Sequence, residues 1–282
     1  WAMRQRSKGL DLKFSSYSTS WVAHAKRYAE AMTARFGLGK EALVAEVASN
    51  DGYLLQHFHA VGIPVLGIEP TANTAEAAIA RGIPTEVDFF GVALAEKLVA
   101  AGKAADLTAA NNVLAHVPDI RDFVTGFSVL LKPEGVSTFE FPHLLNMIAK
   151  VQFDTIYHEH YSYLSLHAVK RIFEACGLRV FDVEELPTHG GSLRVFACRK
   201  GAGHTLTGNV EAVLAAERAA GIDHADGAAY RDFQSKADHA RASFLAFLAK
   251  AKAEGKTVAG YGAAAKGNTF LNYCGLGADA LA

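Results

Sequence analysis

The stretch Leu43–Leu55, LVAEVASNDGYLL, decides how this chain is read. Leu43–Ala48 is a short apolar run that stops at polar turn residues, the pattern of a strand buried on both faces. Asn50-Asp51-Gly52 breaks the run, and Tyr53–Val61 resumes with apolar residues at helical spacing. A strand that turns through a glycine into a helix brings backbone N–H groups to the carboxyl edge of a sheet, where α/β folds bind ligands. Glu46, Ser49, Asn50 and Gly52 are therefore the cofactor-facing candidates of this turn. The turn is weaker than a full G-x-G-x-x-G, and a plain structural turn is the alternative.

Outward from this unit the same alternation continues. Strands are expected at Pro64–Ile68, Pro84–Val87, Asp106–Ala110 and Gly135–Phe141, and helices at Thr74–Arg81, Val92–Ala101 and Ile120–Leu131. Strands alternating with helices specify a parallel sheet covered on both faces. Upstream, Ser20–Phe36 reads as a helix ended by Gly37, and residues 1–14 as a leader or linker. Downstream, a helix at Leu166–Cys176 and strands at Arg179–Glu184 and Ser192–Arg199 close the unit, giving a core over residues 15–204. Asn209–Glu254 is alanine-rich with helical spacing, and Thr257–Gly260 reads as a strand opening a partial second α/β unit within residues 205–282.

Composition narrows the function classes. Half of the 282 residues are hydrophobic and the net charge is −1, which excludes a disordered chain and gives no basic surface for nucleic acid. The three cysteines stand far apart and form no C-x-x-C pair, which argues for a reducing cytoplasm and against a disulfide scaffold. No apolar run approaches the roughly 20 residues needed to span a bilayer, and the start WAMRQRSKGLDLK lacks the apolar core of a signal peptide. A soluble protein with no membrane partner is expected, of undetermined oligomeric state.

Acidic and polar residues recur at the expected strand ends. Glu69 closes the second strand seventeen residues after Gly52, where a carboxylate can accept both ribose hydroxyls; a helix-initiating glutamate is the alternative. Asp88 with Phe89 and Phe90 follows the third strand, suited either to an adenine or to core packing. Asn111 and Asn112 close the fourth, with His116 and Pro118 turning the chain over the pocket. This succession matches an S-adenosylmethionine site better than a dinucleotide site. The second concentration of chemistry is QFDTIYHEHYSYL, Gln152–Leu164. On extended backbone, alternate side chains face the same way, pairing Tyr157 with Glu159 and His158 with His160; on a helical turn all four fan out. Histidine titrates near 6.5, so His160 is a candidate base that Glu159 could orient or tune. Tyr157 and His116 are candidate donors to an oxyanion. His-x-His could hold zinc on a strand, but a third ligand would have to come from far away, and no metal is expected. His24 and His204 read as isolated surface or helix residues.

EVASNDGYLL, GIEP, NNVLAHVPD, EFPHLL, FDTIYHEHYSYLS, ELPTHGGSLRV and VAGYGAAAKGNTFLNY together resemble the sugar C-methyltransferase family from about Phe14 to Tyr273. Those enzymes methylate carbon 3 of nucleotide-linked 4-keto-deoxysugars. The resemblance implies a class I, Rossmann-like S-adenosylmethionine-dependent methyltransferase core with a helical connector and part of a second α/β domain. It implies S-adenosylmethionine as cofactor, a nucleotide-diphosphate sugar as substrate and His160 as the base. In THGGSLR, His189, Ser192 and Arg194 are candidates for the sugar or diphosphate, with a tight turn into a strand as the alternative; His158 joins them. Gly260, Gly262 and Lys266 are candidates for the nucleotide, a bare strand-to-helix turn being the alternative. The family usually carries a four-cysteine zinc module before the core and a complete second Rossmann-like domain after it; this sequence contains neither. Other readings are an O-methyltransferase, a non-catalytic sugar-nucleotide binding protein, and a metal-dependent enzyme built on His158 and His160.

Overall fold

The computed structural model describes residues 14–262, 265–277 and 280–281. A seven-stranded sheet holds the molecule together, formed by β1 (Val44–Val47), β2 (Val65–Ile68), β3 (Thr85–Glu86), β4 (Ala105–Asn111), β5 (Leu131–Pro142), β6 (Leu178–Leu186) and β7 (Ser192–Arg199). Its order is 3-2-1-4-5-7-6. The first five strands run parallel, and β7 enters antiparallel between β5 and β6. β1 has burial on every residue, as expected for a strand with helices on both faces.

The helices fill the two layers. α1 (Thr19–Phe36) starts at Ser18, whose hydroxyl accepts from the Trp21 N–H, and ends at Gly37 with φ 61°. With α2 (Leu55–His59) it covers one face, where Tyr28, Met32, Phe58 and Phe196 are buried. α3 (Ala72–Ala80) follows β2; α4 (Val92–Ala100), α5 (Ile120–Leu130) and α7 (Leu166–Ala175) cover the other face, where Phe127 meets Phe139 edge-on at 4.8 Å and Phe139 meets Phe173 at a tilt at 4.6 Å. α6 (Leu144–Ala149) lies in the long connection after β5.

Two expectations for the last third change. The helical run Asn209–Glu254 divides into α8 (Gly208–Ala219) and α9 (Phe233–Ala253), because Gly221 and Gly227 take left-handed backbone, φ 73° and 64°, around a polar turn. Thr257–Gly260 forms no strand. A strand exists only where a neighbour completes its ladder, and none of the described strands lies beside it. α10 (Ala265–Cys274) follows and packs on residues 153–155 through Phe153, whose ring lies 4.9 Å from Tyr273 and 5.9 Å from Phe270. The expected leader lies outside the described residues except for Phe14, as do Ala263 and Ala264 of the GYGAAAKGN segment. Among the described residues no helix is long and apolar enough to cross a membrane.

Candidate active site

The sheet order reverses direction between β1 and β4, and at such a switch point the connections leave a crevice at the strands' carboxyl ends. All five described non-glycine residues with left-handed backbone lie in connections at this edge: Ala48, Asn50, Asn112, Val151 and His189, with φ between 52° and 59°. Each conformation costs about 1–2 kcal/mol, and such strain gathers where a site dictates the backbone.

The β1 turn is built tightly. Gly52 has φ 78°, and a Cβ there would sit 3.0 Å from Ile83 Cγ1, so both conformation and space call for glycine. Glu69 is 6% exposed and its two oxygens accept from the Asn50 N–H (3.0 Å) and the Thr71 N–H (2.9 Å). The carboxylate thereby ties the end of β2 to the β1 turn. Asp51, fully buried, accepts from the Ser16 hydroxyl at 2.5 Å and from Arg81 at 3.0 Å, while Asn50 Oδ1 accepts from the Ser15 N–H at 2.9 Å. Glu46, Trp21 and Asn111 meet at the Tyr53 hydroxyl. Burial pushes the Glu46 carboxyl well above its usual range; the Tyr53 hydrogen bond opposes the shift, and the nearby Glu69 and Asp51 charges reinforce it.

Glu46 Oε2, Ser49 Oγ, Asp51 Oδ1, Asn111 Oδ1 and Asn112 Oδ1 are buried without a hydrogen-bond partner. Buried polar atoms are nearly always paired. Five acceptor-capable oxygens brought together at the ends of two adjacent strands fit a ligand rich in N–H and O–H donors and carrying positive charge. Around β3, Asp88 and Phe89 are exposed, the carboxylate accepting from the Phe89 N–H at 2.8 Å, whereas Phe90 turns inward to 4.7 Å from the Phe127 ring. Core packing thus takes Phe90 and leaves Phe89 at the surface.

The second cluster comes from the loop after β5. A short 3-10 turn, Phe153–Thr155, is followed by a tight turn in which the His160 N–H donates to the Tyr157 carbonyl at 3.0 Å. Alternation expects Tyr157 beside Glu159; the turn instead places residues three apart together, Tyr157 and His160 with ring centroids 4.3 Å apart. The Tyr161 N–H donates to the Ala115 carbonyl at 2.8 Å and docks the loop against the end of β4, so that His116 meets His160 edge-on at 4.7 Å. Tyr163 lies on the other side of His160, at 5.9 Å.

His160 Nδ1 lies 2.9 Å from the Thr155 carbonyl. A carbonyl only accepts, which puts the proton on Nδ1 and the lone pair on Nε2. Burial lowers the His160 pKa, with Glu159 opposing and Lys266 reinforcing that shift. The ring is held neutral with a basic Nε2, in an apolar pocket lined by Phe141, Pro142, Leu144, Met147 and Leu164. His158 is exposed and Glu159 half-buried.

The candidates of the β6–β7 turn separate. His189 is oriented on Trp21 at 5.6 Å, and burial, followed by the Lys266 charge, lowers its pKa. Ser192 is buried and donates to the Thr188 carbonyl at 3.0 Å. Arg194 is 6% exposed and engaged within the fold: it donates to Glu184 (2.9 Å) and Glu140 (3.2 Å) and lies over the Tyr28 ring at 4.9 Å. His24, expected as an isolated surface or helix residue, does lie on α1, but it is not isolated: it stacks on Trp21 at 5.0 Å, with Nε2 3.1 Å from Glu140. Burial raises the Glu140 carboxyl, but His24 and Arg194 outweigh it and hold it below the usual range. Trp21, His24, Tyr53 and Glu140 were not among the sequence candidates. Glu140 alone carried a signal, as a charge inside the otherwise buried strand STFEFP. Among the described residues, no three His, Cys, Asp or Glu side chains are grouped to hold a metal ion.

A 3-2-1-4-5-7-6 sheet with only its seventh strand antiparallel, and a ligand crevice at the β1–β4 switch point, defines the class I fold of the S-adenosylmethionine-dependent methyltransferases. A family model described as a methyltransferase domain matches residues 21–183, and one described as a C-methyltransferase C-terminal domain matches residues 187–282. The chain belongs to the methyltransferase-domain family. C-methyltransferase NovU of Streptomyces niveus is 38% identical to it over 263 residues, 93% of this chain and 62% of that protein, so the chain spans less than two thirds of that relative. Among solved structures, magnesium protoporphyrin IX methyltransferase (ChlM) from Synechocystis PCC 6803 with bound SAH is similar at TM-score 0.48 and 15% identity, over 71% of this chain and 94% of that one. The 1,6-didemethyltoxoflavin-N1-methyltransferase of Burkholderia thailandensis is similar at TM-score 0.47 and 18% identity, over 62% and 78%.

Proposed function

We propose that this chain is a C-methyltransferase acting on carbon 3 of a nucleotide-linked 4-keto-deoxysugar. The observation that carries the reading is His160, an imidazole with its proton fixed on Nδ1 by Thr155, its Nε2 left basic and its ring packed 4.7 Å from His116 and 4.3 Å from Tyr157. The 38%-identical relative is a C-methyltransferase, which supports the bond class. S-adenosylmethionine, when bound, supplies an electrophilic methyl group. The unpaired oxygens of Glu46, Ser49, Asp51, Asn111 and Asn112 suit its ammonium and sulfonium end, with Gly52 and Asn50 giving close backbone approach and Glu69, Asp88 and Phe89 facing its nucleoside.

His160 Nε2 takes the proton from carbon 3, and its electron pair moves into the ring carbonyl to give an enolate. His116 and Tyr157 donate to the developing oxyanion, the kind of preorganised contact that contributes about 3–4 kcal/mol. Glu159 stabilises the imidazolium once the proton has arrived, in the direction of its effect on His160. His189, His158 and Lys266 are assigned to the sugar nucleotide; Lys266 acts electrostatically on both His160 and His189. Ser192 and Arg194 serve this site from beneath, through the turn and strand that carry His189. The core is taken as residues 15–204 and the connector with part of a second domain as 205–282.

The test is calorimetric titration with S-adenosylhomocysteine, followed by incubation with S-adenosylmethionine and a thymidine-diphospho-4-keto-6-deoxysugar and NMR of the product. A new carbon-bound methyl that His160→Ala abolishes supports the reading. An oxygen-bound methyl makes the chain an O-methyltransferase, and cofactor binding without product makes it a binding protein.

A further inference from the structure

The connection that carries Tyr157–His160 leaves the sheet at His143, directly after β5, runs through α6, and ends at Leu166, the first residue of α7. Both feet meet one side chain from outside the sheet. Glu217, on α8, is fully buried. Its Oε1 accepts from the Leu166 N–H at 2.5 Å and from His143 Nε2 at 2.7 Å, and its Oε2 accepts from the His167 N–H at 2.8 Å. A carboxylate this far from water is tolerable only when fully hydrogen-bonded, and three donors converge here. α7 already has its own cap, the Ser165 hydroxyl accepting from the Ala168 N–H. Glu217 adds partners for two further N–H groups of that first turn and, through His143, a bond to the opposite foot.

Nearby contacts close the same ring. The Leu144 N–H donates to the Leu164 carbonyl at 3.0 Å, so the feet also touch one another. Just beyond α8, Ile222 packs into a separate apolar cluster with Met147 and Ile148 of the loop.

We infer that Glu217 is a positioning residue: it pins both feet of the His160 loop and thereby couples the helical connector to the base. The inference rests on the proposed function for the meaning of His160, but the pin itself is tested without catalysis. Hydrogen exchange is followed by mass spectrometry on the full chain and on Glu217→Leu, which keeps the bulk and removes all three acceptor contacts. Amides of residues 153–163 are expected to exchange about tenfold faster or more, those of β1, β2 and β4 as in the parent. S-adenosylhomocysteine affinity, which draws on β1, β2 and β4, stays within about twofold. The NMR titration of the His160 ring moves up toward about 6.5 as the loop loosens and admits water. Where the proposed reaction is measurable, turnover falls more than substrate affinity.

Unchanged exchange in residues 153–163, or an equal rise across the whole sheet, overturns the inference; the second result makes Glu217 a general stability residue. If Glu217→Leu does not fold, Glu217→Gln, which keeps one acceptor oxygen, is read by the same pattern. A parent chain that binds no cofactor sinks the proposed function and leaves this test intact.

Discussion

Replacing Arg194 with methionine isolates the charge cluster beneath the site. Glu140 has a side chain with 0% exposure and Arg194 one with 8%, their closest approach being 3.2 Å. Removing one partner of such a pair leaves a buried charge and costs about 3–5 kcal/mol. The second pair, to Glu184, lies at 2.9 Å on a carboxylate that is 38% exposed, and adds at most about 1 kcal/mol. The guanidinium over Tyr28 contributes about 0.5–2 kcal/mol, part of which methionine keeps by packing on the ring. A loss of about 4–6 kcal/mol is therefore expected, a large share of the roughly 5–15 kcal/mol that holds a domain together. Urea unfolding measures it, on Arg194→Met, Glu140→Gln and the double variant. The double variant should be more stable than Arg194→Met, because the stranded charge is gone. The sign with pH follows from the folded state: Glu140 lies below the ordinary carboxylate value in the parent, so its contribution is present at neutral pH and is lost as pH falls through that low value. In Arg194→Met the downward pull of Arg194 is lost while His24 stays at 3.1 Å, so the carboxyl titrates higher than in the parent and the gap between parent and variant must shrink as pH falls through the carboxylate range. A variant within about 1 kcal/mol of the parent at pH 7, with no pH dependence of the difference, would refute the buried-pair reasoning.

His160→Gln should lower turnover by about 10²–10⁴-fold. In the parent, burial depresses the His160 pKa, so the acid limb of kcat/KM must fall below about 6.5; a limb above that value contradicts the geometry. For Glu46, whose folded pKa is raised, the stabilising contribution is full at low pH and lost as pH rises through that raised value. Glu46→Gln should therefore flatten the decline of Tm between acid and alkaline buffers, and an unchanged slope would remove Glu46 from the account. Gly52→Ala meets both left-handed backbone and Ile83, and is expected to cost about 1–2 kcal/mol by chemical denaturation together with weaker S-adenosylhomocysteine binding. Wild-type stability and affinity in that variant would mean the turn relaxes freely.

The alternation of strands and helices, the glycine of the first turn, the acidic and amide residues at the strand ends and the histidine-rich segment are all legible in the order of residues. Each is a local signal: periodicity is set within a few residues, and a strand end in an α/β unit has one edge at which to place its side chains. Which of those groups meet is set by how the layers pack. Residues 157–160 pair Tyr157 with His160 because the loop closes a turn against Ala115, and nothing within the tetrapeptide chooses that turn over extended backbone. His24 becomes a partner of Glu140 across 116 residues, and Arg194 is drawn into the same cluster rather than left open at the surface. Glu217 reaches His143 across 74 residues from a helix whose own spacing is unremarked among alanines. Thr257–Gly260 has the composition of a strand and forms none, because a ladder needs a neighbour that composition does not supply. Hydrogen bonds and buried charges are satisfied by whichever groups the packed layers bring within about 3 Å, and that distance belongs to the fold.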